Sequence, residues 1–336
     1  MKLGIIGDVH WSKYSSIVRS RGTKYSTRLE NCIDSINWAE SITSDCDKII
    51  YLGDFFDNES LKSEELTALK ELKWNDKEHI FLVGNHELGL NNLIFSSAHI
   101  FNLSNMEVID KPTLIKDITS MYDICFLPYI LENTGDVSDY LFKTTNKKIV
   151  FSHNDIAGIQ MGKFLSKTGF TITSIENNCE LFINGHLHNG SKVSDKIFNI
   201  GNLTGQNFSE DASVYSHQIF KLDTSTLDIE AFVNPFAFNF FKFLSYDDLV
   251  NYNFPSNSIV TAKLGSDLID KAKEFVSDNS NIIAYRFILD TLQNNNTVVS
   301  ENVSLSVNHL DKFQEFVLSK LGNEDIVKEE LSEVLV

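Results

Sequence analysis

An α/β fold of stacked layers is predicted by three features of this sequence. Short β-branched or aromatic runs of strand length recur, helical patterns lie between them, and polar clusters follow several of the runs. In order, Leu3 to Ile6 precedes Gly7-Asp8-Val9-His10, and Ile49 to Leu52 precedes Gly53-Asp54. Ile80 to Val83 precedes Gly84-Asn85-His86-Glu87, and Ile149 to Phe151 precedes Ser152-His153. Leu181 to Ile183 precedes Asn184-Gly185-His186-Leu187-His188. Between the runs, Leu29, Cys32, Ile33, Ile36 and Ala39 recur at three-to-four spacing, as do Leu66, Leu69 and Leu72. Strands alternating with helices put functional groups on loops at the carboxyl ends of strands.

Further strands are expected at Lys196–Ile200, Gln218–Leu222 and Ile229–Phe232. No helical pattern separates them, so the second half of the core is expected to add antiparallel strands. From Asn234-Pro235 to Pro255-Ser256 the composition turns to Asn, Phe, Tyr and Asp, which reads as a linker. Beyond it, a strand at Ser258–Lys263, a helix at Ser266–Asp278 and a strand at Ile282–Leu289 give a small β-α-β module. From Val307 onward, Leu310, Phe313, Phe316, Val317 and Leu321 repeat at helical spacing, and a second short amphipathic stretch runs to Val336.

The bulk composition narrows the class. A chain of 336 residues, 42% hydrophobic and 22% charged, can bury a core and allows about two domains. A net charge of −17 argues against a free-standing protein that coats nucleic acid through a basic face. Cys32, Cys46, Cys125 and Cys179 are scattered, without the pairing of a zinc ribbon or a disulfide framework. The start of the chain has no signal-peptide pattern and no apolar run reaches membrane-spanning length, so a cytoplasmic protein with no membrane partner is expected.

The polar clusters carry the chemistry. They read Asp-x-His, Gly-Asp-x-x-Asp, Gly-Asn-His-Glu, a lone His after a strand, and Gly-His-x-His. Carboxylate and amide oxygens suit manganese, magnesium or iron, and imidazole also accepts zinc. No Cys joins the set, which argues against a closed structural zinc site. In Asp8-x-His10 and His186-x-His188 the two-residue step lets both ligands of one strand end converge. His79, His99, His217 and His309 lie outside every cluster and read as ordinary core or surface histidines. The Phe-rich stretch from Phe232 to Phe243 reads as interface packing rather than a base-stacking patch. The acidic tail reads as a solvated helix face.

All five clusters, in this order and each after a strand-like run, resemble the motifs of the calcineurin-like metallophosphoesterase superfamily. The resemblance implies a four-layer α-β-β-α sandwich over residues 1–240, a small β-α-β capping domain at 257–300, and C-terminal helices at 306–336. It implies two divalent metal ions, with Mn2+ favoured over Mg2+ or Fe2+. Asp8, His10, Asp54 and His188 would hold one ion, and Asp54, Asn85, His153 and His186 the other. His86 would face the scissile phosphate as the catalytic group. Asp57 would orient a ligand, and Glu87 would cap or orient the segment after His86. The fourth motif is usually Gly-His and here reads Ser152-His153, so that assignment rests on its position and on the Asn154-Asp155 that follows.

Two ions about 4 Å apart activate water and stabilise both oxygens of an in-line displacement at phosphorus. Against the carboxylates of Asp8 and Asp54 they leave a local charge of roughly +2, so an acidic protein can still attract a phosphodiester.

The module after the core is similar to the capping domain of the SbcD-type nuclease family. Leu127-Pro128-Tyr129 with Glu132-Asn133-Thr134-Gly135 is similar to phage recombination endonuclease subunits of that family. That likeness implies cleavage of DNA, docking of the tail on an SbcC-type coiled-coil ATPase, and room for a homodimer. A stand-alone phosphatase or cyclic-nucleotide phosphodiesterase is the competing enzyme reading. A non-catalytic interaction module is the third.

Overall fold

A computed structural model describes residues 1–15, 22–116, 121–161 and 164–290. The chain opens with β1 (Lys2–Ile6), α1 (Thr27–Ile42), β2 (Lys48–Tyr51), α2 (Ser63–Ala68), β3 (Glu78–Leu82) and β4 (Met106–Ile109). It continues through β5 (Thr113–Lys116), β6 (Tyr122–Leu127) and β7 (Lys147–Ser152). Four two-residue strands follow: β8 (Ile156–Ala157), β9 (Gln160–Met161), β10 (Phe164–Leu165) and β11 (Phe170–Thr171). Next come α3 (Ile172–Asn178), β12 (Leu181–Asn184), β13 (Ser191–Lys192), β14 (Ile197–Asn199), β15 (Gln218–Asp223) and β16 (Ile229–Val233). The last described elements are β17 (Asn239–Phe243), α4 (Tyr246–Asn251), β18 (Ser258–Leu264), α5 (Ile269–Asp278) and β19 (Ile282–Leu289).

Two six-stranded sheets make the core. The first runs β16-β15-β1-β2-β3-β4, parallel from β1 to β4 with two antiparallel strands at one side. The second runs β13-β14-β12-β7-β6-β5, parallel through its four inner strands with an antiparallel strand at each edge. Parallel strands buried on both faces explain the near-continuous apolar runs in the sequence. The expected antiparallel addition holds for β15 and β16, whereas β14 pairs parallel to β12.

Alternation at period two sorts the side chains into layers. Ile5, Ile50, Ile80 and Leu82 of the first sheet pack against Ile124, Phe126, Ile149, Phe151 and Ile183 of the second. The opposite face of the first sheet, with Ile49, Tyr51 and Phe81, packs against Leu29, Cys32, Ile36 and Ala39 of α1. The outer face of the second, with Cys125, Val150 and Phe182, packs against Ile175 of α3. The order of layers is therefore α-β-β-α, as the motifs led us to expect. Each fully buried large side chain contributes about 1.5–3 kcal/mol of hydrophobic stabilisation. α1 is started by Ser26, whose side chain accepts from Leu29 N, and is closed by Thr43, whose hydroxyl donates to Ala39 O. The pattern through Leu66, Leu69 and Leu72 resolves into a shorter helix, α2, and a 3-10 turn, with Leu66 exposed.

The stretch read as a linker is not one. Residues Asn239–Phe243 form β17, which pairs in parallel with β18, and β18 pairs in parallel with β19. The third sheet is thus β-α-β-α-β, with α4 and α5 as its crossovers. Composition misled here. The Asn, Asp and Ser residues serve as caps and turns, as when the Ser245 side chain accepts from Asp248 N. Phe241 and Phe243 pack on Leu249, Val260 and Ala272, while Phe238 and Phe240 pack on Ile259. The residues from 291 onward, including the expected C-terminal helices and His309, lie outside the described residues. Among those described, no helix is long and apolar enough to cross a membrane.

Candidate active site

Five strand ends converge on one pocket. Asp8 and His10 follow β1, Asp54 follows β2, Asn85 and His86 follow β3, His153 follows β7, and His186 and His188 follow β12. The first and second sheets both contribute, so the pocket sits where the sandwich brings the carboxyl ends of their parallel strands together.

The backbone turns sharply to deliver these groups. His10, Asp54 and His186 all have left-handed φ values of 50°, 45° and 71°, which non-glycine residues seldom adopt. Gly53 takes a φ of 95°. Gly84 is required for a different reason: a Cβ there would lie 2.1 Å from Asp54 Oδ1 and 2.3 Å from Asp54 N. Hydrogen bonds lock the loops to one another. Val9 N and His10 N donate to Asp54 O at 3.1 and 2.9 Å. His86 N donates to Asp54 Oδ1 at 2.9 Å, and His186 N donates to Asp8 Oδ1 at 3.0 Å. The buried Arg28 guanidinium donates to Val9 O, His10 O and Gly205 O.

One oxygen of each carboxylate is thereby held, and the other faces the pocket. Asp8 Oδ2 is buried without any hydrogen-bond partner. Asp54 Oδ2 lies 3.1 Å from His153 Nε2 and 3.9 Å from His10 Nε2. His10 Nε2 and His188 Nε2 face each other at 3.1 Å. Asn85 Oδ1 lies 2.9 Å from His186 Nδ1 and 3.2 Å from His153 Nε2. Two groups with the ligand atoms a cation needs follow: Asp8, His10 and His188, and Asp54, His153 and His186. An orphaned buried carboxylate oxygen and opposed imidazole lone pairs are costly in an empty pocket and favourable around a cation, so the residues fit a metal pair.

The charged groups of the pocket act strongly on one another. Burial would raise the Asp54 carboxyl, but the neighbouring His153 holds it far below the usual carboxylate range. Burial opposes charge on His153 too, yet Asp54 and Asp8 raise it above the ordinary histidine value. Burial dominates at His10 and lowers it, against the pull of Asp57. Burial also pushes the Glu87 carboxyl up to about 8, and Asp54 adds to the rise.

His86 differs from the rest. Its side chain is 42% exposed, its ring lies edge-on to His10 at 4.6 Å, and its Nδ1 is 3.4 Å from Asp57 O. It also falls within ligand distance of His10 and Asp54, as a third group on the open side of the pocket. Asp57 Oδ1 accepts from His10 Nδ1 at 3.2 Å. Glu87 is fully buried and accepts from Phe56 N at 2.9 Å and from Gly84 N at 3.4 Å, tying the Asp54 loop to the Asn85 loop.

The structure adds residues that the motifs did not single out. Asp155 Oδ1 lies 3.2 Å from His186 Nε2, and Glu210 Oε1 lies 3.7 Å from His188 Nδ1. His217, read as an ordinary histidine, is buried with its Nε2 3.6 Å from Glu210 Oε2. Leu52 O accepts from His153 Nδ1 at 2.6 Å. Asp155 stands two positions after His153, a signal available in the sequence. Glu210 stands far from any motif, and only folding brings it to His188.

The model of the calcineurin-like phosphoesterase family matches residues 1–190, a span that holds all seven expected ligands and His86. No curated protein matches the chain.

Proposed function

Because the chain belongs to the calcineurin-like phosphoesterase family, and hence to the metal-dependent phosphoester hydrolases, we propose that its pocket holds two divalent cations and cleaves DNA. In this reading Asp8, His10, Asp54 and His188 would hold one cation, and Asp54, Asn85, His153 and His186 would hold the other. The observation that carries it is the orphaned Asp8 Oδ2 among opposed imidazole nitrogens at the strand ends. A cation pair supplies Lewis acidity toward a phosphoryl oxygen and lowers the pKa of water.

The chain's own residues supply the rest. The backbone amides of His86 and His186 orient the two carboxylates. Asp57 holds the His10 ring from behind. His86 stands exposed beside the pocket, where its imidazole stabilises charge growing on the phosphoryl group or gives a proton to the leaving oxygen.

The choice of DNA, and of a subunit role in recombination, is supported by what lies beyond the matched span. A third sheet with its own apolar core follows the sandwich, an addition that hydrolysis of a small phosphoester does not need. The amphipathic pattern from Val307 fits docking onto an SbcC-type ATPase, and such a partner brings the basic surface that a chain of charge −17 lacks. The test is Mn2+-dependent degradation of linear double-stranded DNA, run beside bis-p-nitrophenyl phosphate and a phosphomonoester. DNA cleavage that disappears in Asp54→Ala supports the nuclease. Hydrolysis of the small esters alone moves the assignment to a phosphatase or cyclic-nucleotide phosphodiesterase.

A further inference from the structure

Besides the exposed His86, four imidazoles meet in the pocket, and each has a second ring nitrogen pointing away from it. All four outward nitrogens meet an oxygen. His153 Nδ1 lies 2.6 Å from Leu52 O, and His10 Nδ1 lies 3.2 Å from Asp57 Oδ1. His186 Nε2 lies 3.2 Å from Asp155 Oδ1, and His188 Nδ1 lies 3.7 Å from Glu210 Oε1. An oxygen behind a ring keeps the proton on the outer nitrogen and leaves the inner lone pair for a cation. A carboxylate behind it also makes the ring a stronger donor.

Two of these oxygens belong to carboxylates that lie outside the five motifs, and they stand behind different groups of ligands. We propose that Asp155 and Glu210 are positioning residues, each dedicated to one cation. Asp155 acts through His186 on the ion beside Asn85 and His153, and Glu210 acts through His188 on the ion beside Asp8 and His10. This rests on the two-cation reading of the pocket.

Glu210 is the more unusual of the pair because it is wholly buried. A buried carboxylate costs several kcal/mol unless its surroundings compensate it. It accepts from Asn202 Nδ2 at 2.9 Å, Gln206 N at 3.0 Å and Asn207 N at 3.3 Å, and its ion-pair contacts are His188 and His217. His217 Nδ1 lies 2.9 Å from Asn202 O, so the proton on that nitrogen is directed away from Glu210. His188 is left as the ring whose outward proton the carboxylate can take. Asn207 Nδ2 lies 3.4 Å from the same nitrogen, its Oδ1 being held by Ser209 N at 2.9 Å, so the nitrogen faces an amide donor as well as the carboxylate. The charge of Glu210 decides between the two, and with it which nitrogen of His188 stays free.

Asp155 has a simpler place. Its side chain is a quarter exposed at the pocket's rim, and its loop is braced where Phe170 N donates to Asp155 O at 2.9 Å. The side chain is therefore placed by the backbone and not by a packed core. An isosteric amide in its position removes charge with little structural consequence.

The experiment is a calorimetric titration of Mn2+ into the metal-free full chain, in backgrounds that keep only one ion. His10→Ala removes a ligand from the first group, and His153→Ala removes one from the second. In the His10→Ala chain, adding Asp155→Asn is expected to weaken Mn2+ binding about 10- to 100-fold. Adding Glu210→Gln there should change it by no more than about twofold, as for independent sites. In the His153→Ala chain the two effects exchange places. Equal losses in both backgrounds, or no loss in either, overturn the proposal, because a merely structural role has no reason to choose an ion. Thermal melting of each variant accompanies the titration. Asp155→Asn, at a partly exposed position, keeps its arm decisive even where Glu210→Gln lowers the melting temperature. A wild-type chain that binds no Mn2+ defeats the two-cation reading itself, which is a separate result.

Discussion

Two buried clusters of histidine and carboxylate sit on the first sheet, and they are built on opposite principles. Near the start of β3, Glu40 accepts from Tyr51 Oη at 2.7 Å, from His79 Nε2 at 3.0 Å and from Asn75 N at 3.1 Å. His79 Nδ1 lies 2.9 Å from Lys77 O, so both ring nitrogens have acceptors, and Trp74 packs edge-on to the ring. Every polar atom there that needs a partner has one within the protein. Beyond the carboxyl ends of β1 and β12, Asp8 Oδ2 has none, and the imidazole nitrogens of His10 and His188 confront each other. The residue types are alike and both clusters are buried. What separates a structural network from a cation site is whether its hydrogen bonds close on themselves.

The difference can be broken or sharpened by substitution. The largest effect is expected at Asp54, whose carboxylate belongs to both halves of the open cluster. Asp54→Ala should lower phosphodiester hydrolysis at least about a thousandfold, measured with bis-p-nitrophenyl phosphate, since cation catalysis is worth several kcal/mol. His86→Ala comes next. It should lower kcat about a hundredfold while Mn2+ stoichiometry stays at the wild-type value, because the exposed ring is proposed to act on substrate and not to hold a cation. Loss of bound metal from that variant would make His86 a ligand instead.

The third contrast compares the clusters directly. Glu40→Gln should destabilise the metal-free chain by about 1.5–3 kcal/mol, because it unbalances a closed set of buried hydrogen bonds. Asp8→Asn should cost clearly less in the same denaturation experiment, since the oxygen it removes had no partner to lose. Equal costs would mean that the open cluster is as well satisfied as the closed one. The smallest effect is expected at Arg286 of β19, whose guanidinium stacks 4.1 Å over the Phe208 ring. Arg286→Ala should lower stability by no more than about 1 kcal/mol and leave hydrolysis of a small diester unchanged.

Much of this was legible in the sequence, and the reason is local. Strand-length runs ending in Gly-Asp, Gly-Asn-His or Gly-His-x-His place these polar side chains at strand ends whatever the later topology does, because the turn and the side chain share one short segment. The two-sheet sandwich was legible for the same reason, since buried parallel strands read as apolar runs. Two kinds of feature escaped. The first is composition mistaken for order: Asn239–Phe243 alternates between two apolar clusters, but its Asn- and Phe-rich surroundings read as a linker. The second is long-range assembly. Glu210 reaches His188 only through the turn at 202–210, and Leu52 O reaches His153 only when β2 and β7 come together across the sandwich. Neither leaves a spacing in the chain.

The open cluster, with Asp54 reaching both of its halves, is proposed to hold a pair of cations. Electron paramagnetic resonance of the full chain loaded with Mn2+ tests it most directly. The account predicts two Mn2+ per chain with the signal of an exchange-coupled pair, lost in Asp54→Ala. Two uncoupled ions, a single ion, or only the six-line signal of free Mn2+ would contradict it.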